Sequence, residues 1–265
     1  MKIRPKSALL PFIPALAGPI SAAVLFQDDF SGSGSSNLNG TTPDVTQGAT
    51  AWVADTEYKA DGTGTASGSN PSIRAYLTLG GLIDDNRGNA NAIYTLSATV
   101  SVASTGNAAI WHGFGFWDEN TPAENFASTP SDGTGWMLRR ANNDIQTFLG
   151  PRTGGGLTET GASPDDVAGT VDLRIVLDLT DWNGSNNWGS VAYYGKLSSA
   201  STYNLIAGGE LGATNSTFRA VGIGGGEAAG DFDFFQLSQV PEPSSVGMLG
   251  LVGAALLMRR RREAR

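Results

Sequence analysis

Apolar and polar positions alternate with period two over most of residues 24–238. Tyr94, Leu96, Ala98, Val100 and Val102 alternate with Thr95, Ser97, Thr99 and Ser101. Side chains two apart share a face of a strand, so this segment predicts a strand with one buried face. Val171, Leu173, Ile175, Leu177 and Leu179 alternate in the same way with Asp172, Arg174 and Asp178, and Phe232 and Phe234 with Asp231 and Asp233. Weaker versions of the pattern predict strands at Val24–Phe30, Ala51–Ala54, Ile73–Leu79, Ile110–Trp117, Gly135–Arg140, Ile145–Leu149, Trp188–Gly195, Thr202–Ala207 and Phe218–Ile223, twelve in all. The links carry turn chemistry: Asn142-Asn143-Asp144 predicts a tight hairpin, Asn183-Gly184 and Asn37 to Gly40 tolerate positive φ, and Gly154-Gly155-Gly156 predicts a flexible tip. No comparable stretch has the apolar spacing of an amphipathic helix. Strands alone bury their apolar faces in a two-sheet sandwich or a closed barrel, and the sandwich is the expectation.

The two ends depart from this pattern. Lys2, Arg4 and Lys6 precede an apolar stretch, Ala8 to Ile20, and the small residues Ser21-Ala22-Ala23. That order predicts a signal peptide over 1–23, removed by signal peptidase after Ala23. A buried N-terminal helix is the alternative, but Pro11, Pro14 and Pro19 would interrupt it. At the other end, Val240-Pro241-Glu242-Pro243-Ser244 leads into thirteen apolar or glycine residues, Val246 to Met258, and then Arg259, Arg260, Arg261 and Arg262. As a helix, thirteen residues reach roughly 20 Å, short of a ~30 Å hydrocarbon core, so the segment predicts a weak membrane anchor with its arginines as a cytoplasmic stop-transfer cluster.

Motif, apolar span and basic cluster, in that order over residues 240–265, resemble the PEP-CTERM sorting signal. The resemblance implies that an exosortase recognises Pro241, Glu242 and Pro243, and that the protein crosses the inner membrane, is held there transiently, and ends at the cell surface or outside the cell. It also implies an extracellular polysaccharide setting.

Composition narrows what the domain between the ends can do. Of 17 basic residues eight lie in the end segments, against two of 25 acids, so residues 24–240 hold 9 basic and 23 acidic side chains. A net charge of −14 repels nucleic acid and anionic headgroups, which excludes a nucleic-acid partner. With no cysteine there are no disulfides, thiolate metal sites or cysteine nucleophiles.

Phe26-Gln27-Asp28-Asp29-Phe30, Val171 to Asp178 and Phe232 to Leu237 together resemble the concanavalin-like jelly roll, the lectin and glucanase sandwich with LamG-like relatives. The resemblance implies an all-β, two-sheet antiparallel jelly roll over 24–239 whose first and last strands lie side by side. It brings three functional expectations: carbohydrate binding or a matrix role, a secreted glycoside hydrolase or lyase on the same scaffold, or a structural envelope protein. The hydrolase pattern Glu-x-Asp-x-x-Glu is missing from the chain, and His112, the one histidine, shares a predicted strand face with Ile110, Phe114 and Phe116, as a core residue would. No catalytic residue is assigned.

Two candidate sites remain. Trp111 and Trp117 fall on one face of a predicted strand, with Gly113 and Gly115 leaving space between them and Asp118 and Asn120 beyond; stacking rings beside polar groups suit a sugar, and equally a packed core. Asp28, Asp29, Asp231 and Asp233 become neighbours if the first and last strands pair. They form either a structural calcium site, which the jelly-roll resemblance allows, or a solvated strand edge.

Overall fold

A computed structural model describes residues 22–31, 36–47, 50–56, 58–60, 65–66, 73–102, 105, 110–118, 133–149, 169–226 and 230–240. The compact unit they belong to runs from Ala22 to Val240. Its strands, in chain order, are β1 Ala23–Asp28, β2 Ser36–Asn37, β3 Val45–Thr46, β4 Val53–Ala54, β5 Lys59–Ala60, β6 Thr65–Ala66, β7 Ile73–Thr78, β8 Ile93–Val102, β9 Trp111–Trp117, β10 Gly133–Arg140, β11 Ile145–Phe148, β12 Val171–Asp178, β13 Ser190–Leu197, β14 Asn204–Glu210, β15 Ala220–Gly226 and β16 Gly230–Gln239. Two short 3₁₀ turns, Asp84–Asn86 and Ala213–Asn215, are the helical elements among the described residues.

Fourteen of these strands form two antiparallel sheets packed as a sandwich, and β2 pairs with β5 in a separate two-stranded ribbon. One runs β14-β13-β12-β8-β16-β1-β3, with β6 also paired to β16; the other runs β11-β10-β9-β15-β7-β4. Each predicted strand has a counterpart. The four strands without one, β2, β3, β5 and β6, are two residues long, below the length at which alternation reads as a pattern.

The period-two segments behave as their spacing dictates. Along β8 and β12 burial alternates residue by residue, and the strands pair in one continuous register, Val171 with Val100 through Asp178 with Ile93. Leu96, Val100, Leu173 and Ile175 point into the space between the sheets and meet Phe114, Phe116, Met137, Val221 and Ile223 from the other sheet. The hairpin at Asn142-Asn143-Asp144 joins β10 to β11, with Asn143 at φ 75° and Arg140 N–H donating to Asp144 O. The first strand stops at Asp28 rather than Phe30, because the Asp28 carboxylate accepts from Phe30 N–H and Phe30 turns to φ 54°. β1 and β16 lie side by side, Ala23 opposite Gln239 and Asp28 opposite Phe235.

Candidate functional site

The six-stranded sheet has a second apolar face, turned away from the sandwich core. On β9, Phe114 and Phe116 point inward while Trp111 and Trp117 point outward, where they join Tyr76, Trp136, Leu138, Phe148 and Ala220 in a separate cluster. Trp117 packs edge-to-face with Trp136, centroids 4.5 Å apart at 80°, and with Tyr76 at 6.2 Å.

Glycines make this layer possible. A bulge in β10 sets Gly135 and Trp136 between the pairs Thr134–Phe116 and Met137–Phe114, and Gly135 takes φ 67° to form it. The Trp136 ring then lies across Gly115, where an added Cβ would come within 2.5 Å of it, and its N–H donates to Phe116 O at 2.6 Å. Leu138 covers Gly113 in the same way, and Trp117 lies over Gly222, 2.9 Å from where a Cβ would stand. The space expected between Trp111 and Trp117 is therefore filled from the neighbouring strand. Trp117 is fully buried, Trp111 is 7% exposed and Asp118 is half-buried, whereas Asn120 lies outside the described residues. The Trp117 indole N–H finds no acceptor among the described residues.

The rim of this layer is basic and amide-bearing. Arg74 lies 5.9 Å from the Tyr76 ring centre, and Arg140 Nε donates to Gln146 Oε1 at 2.7 Å. Burial pushes the Tyr76 phenol up, against the pull of the Arg74 charge. None of the six strands carries an aspartate or glutamate. His112 points the other way, fully buried and edge-on to Phe232 at 5.9 Å, on the face it was expected to share with the phenylalanines.

The four aspartates separate into two places. Asp28 and Asp29 join Asp44, with carboxylate oxygens from all three within 4.8 Å of one another. Asp28 is buried and accepts from Trp52 Nε1 at 2.7 Å and Phe30 N at 2.8 Å; Asp44 accepts from Asp29 N at 3.0 Å. Burial raises the Asp28 carboxyl, the two hydrogen bonds oppose this, and the Asp44 and Asp29 charges add to the rise. Asp233 stands at a bulge of β16, between Phe232 opposite Val100 and Phe234 opposite Thr99, and Asp231 pairs by its backbone with Thr65 and Ser101. Neither belongs to the acidic group. Asp44 was missed because its neighbours lie 15 and 16 positions back in the chain, and only the two-residue pairing of β3 with β1 brings it to them.

Pro241, Glu242, Pro243, the 246–258 segment and Arg259 to Arg262 lie outside the described residues, as do residues 1–21. No helix of the described residues is long and apolar enough to cross a membrane. Residues 239–262 match the family model of the PEP-CTERM protein-sorting motif. The chain carries a PEP-CTERM sorting motif.

That motif marks exported proteins sorted to the cell exterior by an exosortase. A search of curated proteins finds no match to this chain. Among solved structures, the metal-free exoplasmic/lumenal domain of VIP36 is similar with TM-score 0.47 and 10% identity, over 83% of this chain and 92% of that one. Its Ca²⁺/Man2-bound form gives 0.46 and 10%, over 79% and 89%. The endo-1,3-beta-glucanase of Streptomyces sioyaensis gives 0.47 and 15%, over 88% and 99%. These neighbours are concanavalin-like jelly rolls, both lectin and hydrolase, and the likeness is one of strand arrangement alone.

Proposed function

We propose that this PEP-CTERM protein is a non-catalytic carbohydrate-binding or matrix component of the cell surface, exported by a signal peptide over 1–23 and processed by an exosortase at the 240–265 tail. The outer aromatic layer of the six-stranded sheet carries the reading. With Trp117 and Trp136 buried, the face would meet a sugar through the 7% exposed edge of Trp111 and the polar groups of Arg74, Arg140, Gln146 and Asp118 around the layer. None of the six strands, as described, carries the pair of carboxylates about 5 Å apart that a retaining glycosidase uses. Trp111 and Asp118 are the contacts assigned to the sugar, with Trp117 and Trp136 as the layer beneath.

The test is binding of the Ala22–Val240 unit to a panel of polysaccharides, followed by assay of released reducing ends on every binder. Trp111→Phe, which keeps an aromatic ring in this 7% exposed position, is expected to weaken binding several-fold while lowering the melting temperature far less than Trp117→Ala. Trp117→Ala is expected to cost about 3–5 kcal/mol of stability, read from urea denaturation. Release of reducing ends would replace this reading with the hydrolase, and no binding at all would leave the structural role.

A calcium ion held by Asp28, Asp29 and Asp44 is a second element of the proposal. The three carboxylates keep lone pairs beyond the bonds they accept; burial raises Asp28 and the Asp44 and Asp29 charges add to the rise, a repulsion that a hard cation relieves. Millimolar calcium is expected to raise the melting temperature over an EDTA-treated sample, and Asp44→Asn to abolish the difference. Equal melting temperatures with and without calcium would remove the ion from the proposal.

A further inference from the structure

Four of the six tryptophans, Trp52, Trp111, Trp117 and Trp136, are at most 7% exposed. The other two, Trp182 and Trp188, are half-buried and close the two ends of the loop between β12 and β13. Their rings meet edge-to-face at 6.1 Å.

The loop is stiff. Asn183 N–H donates to Asn187 O, and the Asn183 side-chain oxygen accepts from the backbone N–H groups of Ser185, Asn186 and Asn187 at 3.0 to 3.1 Å. Gly184, at φ 70°, folds the chain back over Trp182 so closely that a Cβ would stand 2.9 Å from the ring. A second loop backs it. Arg87 lies 5.2 Å from the centre of the Trp182 ring and is bridged to Asp84, which also holds Arg219 Nε and Phe218 N–H, each at 3.0 Å. Leu179 and Ala92 link the loops further through backbone bonds.

Two hydrogen-bond donors here have no partner among the described residues. Neither Trp182 Nε1 nor Arg87 Nε finds an acceptor among the described residues, although both atoms are buried. Buried donors are almost always satisfied, by protein, water or ligand oxygens. Around them Asp181, Ser185 and Asn186 are exposed.

We propose that this loop is a second carbohydrate site, taking a neutral hexose unit of a polysaccharide. It rests on the carbohydrate-binding reading above and adds a place to it that the outer layer of the six-stranded sheet does not supply. The exposed edges of the two partly buried indoles offer apolar surface to the C–H face of the sugar, and the exposed Asp181, Ser185 and Asn186 beside them offer hydrogen-bonding groups to its oxygens. The internal bonds of Asn183 hold the loop in place before binding, so little ordering entropy is lost. Charge selects the ligand: Asp84, Asp85 and Asp181 outnumber Arg87 and Arg219 here, and residues 24–240 carry 23 acids against 9 bases, which disfavours uronate or sulfated chains.

The test uses the full-length chain in detergent. Iodide reaches exposed indoles, so Trp182 and Trp188 supply the quenchable fluorescence. A neutral glucan, mannan or galactan that binds is expected to protect that fraction. A Trp182→Phe, Trp188→Phe double variant, checked for an unchanged melting temperature, is expected to lose the quenchable fraction and to bind about tenfold more weakly. If polysaccharide binds but neither protects the fluorescence nor distinguishes the variant, this site is overturned and the general reading stands. If alginate protects the fluorescence in place of the neutral chains, the assigned ligand class is wrong. If no polysaccharide binds, both readings fall.

Discussion

Asp28 and Asp172 show how neighbours push two carboxyls in opposite directions. Burial raises Asp28, the bonds from Trp52 and Phe30 hold it partly back, and the Asp44 and Asp29 charges add to the rise. Asp172 is also penalised by burial, but bonds from Lys196, Ser198 and Thr99 outweigh that and hold it below the usual carboxylate range. The stability consequences have opposite signs. A raised carboxyl binds protons more tightly in the folded state, so Asp28 favours folding at low pH and that contribution is lost as pH rises from its ordinary value through its folded one. A depressed carboxyl favours folding above its ordinary value, and the contribution of Asp172 is lost as pH falls through its folded one. Melting temperature measured against pH in calcium-free buffer is expected to follow both. Asp28→Asn should remove the downward slope just above pH 4 and cost about 1–3 kcal/mol at pH 7, since the single amide oxygen can accept from Trp52 or from Phe30 N–H but not from both. Asp172→Asn should flatten the acid limb. A steeper fall above pH 4 in Asp28→Asn would contradict the assignment.

Among the elements, β15 is the one whose sequence says least and whose packing demands most. Gly222 faces Ala75 O and Tyr76 Cα on β7, with a Cβ reaching within 2.7 Å of the latter, and the Trp117 ring at 2.9 Å. Backbone cannot yield as a side-chain tip does, so Gly222→Ala is expected to cost about 1–3 kcal/mol, seen as a lower urea midpoint at unchanged m-value. Gly115→Ala should act similarly by displacing Trp136. These demands were not legible in the sequence. Gly113 and Gly115 read as gaps between two tryptophans because alternation tells which face a residue occupies, and not what the next strand lays across it. β9 and β11 are buried on both faces, so their pattern lacks the polar beat that made β8 and β12 unmistakable. The candidate metal group was half legible: Asp28 and Asp29 stood out as adjacent acids, but Asp44 arrives through a two-residue pairing, and the bulge at Asp233 breaks the simple alternation that pointed to β16. Trp182 and Trp188 were visible as letters, but nothing in the sequence set them apart from the four tryptophans that are buried.

For the molecule, the decisive strand is the last. β16 lies between β8 and β1 in the middle of the larger sheet, paired from Gly230 with Val102 to Gln239 with Tyr94 on one side and with Ala23 to Asp28 on the other. Phe232, Phe235 and Leu237 are fully buried there, and Phe235 packs on Trp52 at 5.5 Å. The pairing extends to the end of the unit: Val240 N–H donates to Ile93 O, and Gln239 Nε2 donates to Asn91 O. Until β16 is in place, β8 and β1 both present open edges, and neither sheet face in the centre is complete. Contacts so distant in sequence form slowly, on the order of milliseconds to seconds. Export from the N-terminus as an unfolded chain, as the proposed signal peptide implies, would leave the sandwich unclosed until its last strand had crossed the membrane ahead of the PEP-CTERM tail. A chain ending after Ala229 is expected to be digested by a nonspecific protease as fast as unfolded protein and to aggregate through the open edges. A chain ending after Val240 is expected to resist. Comparable resistance of the shorter chain would show that the sandwich closes without its central strand, and would remove the coupling between completion of export and completion of the fold.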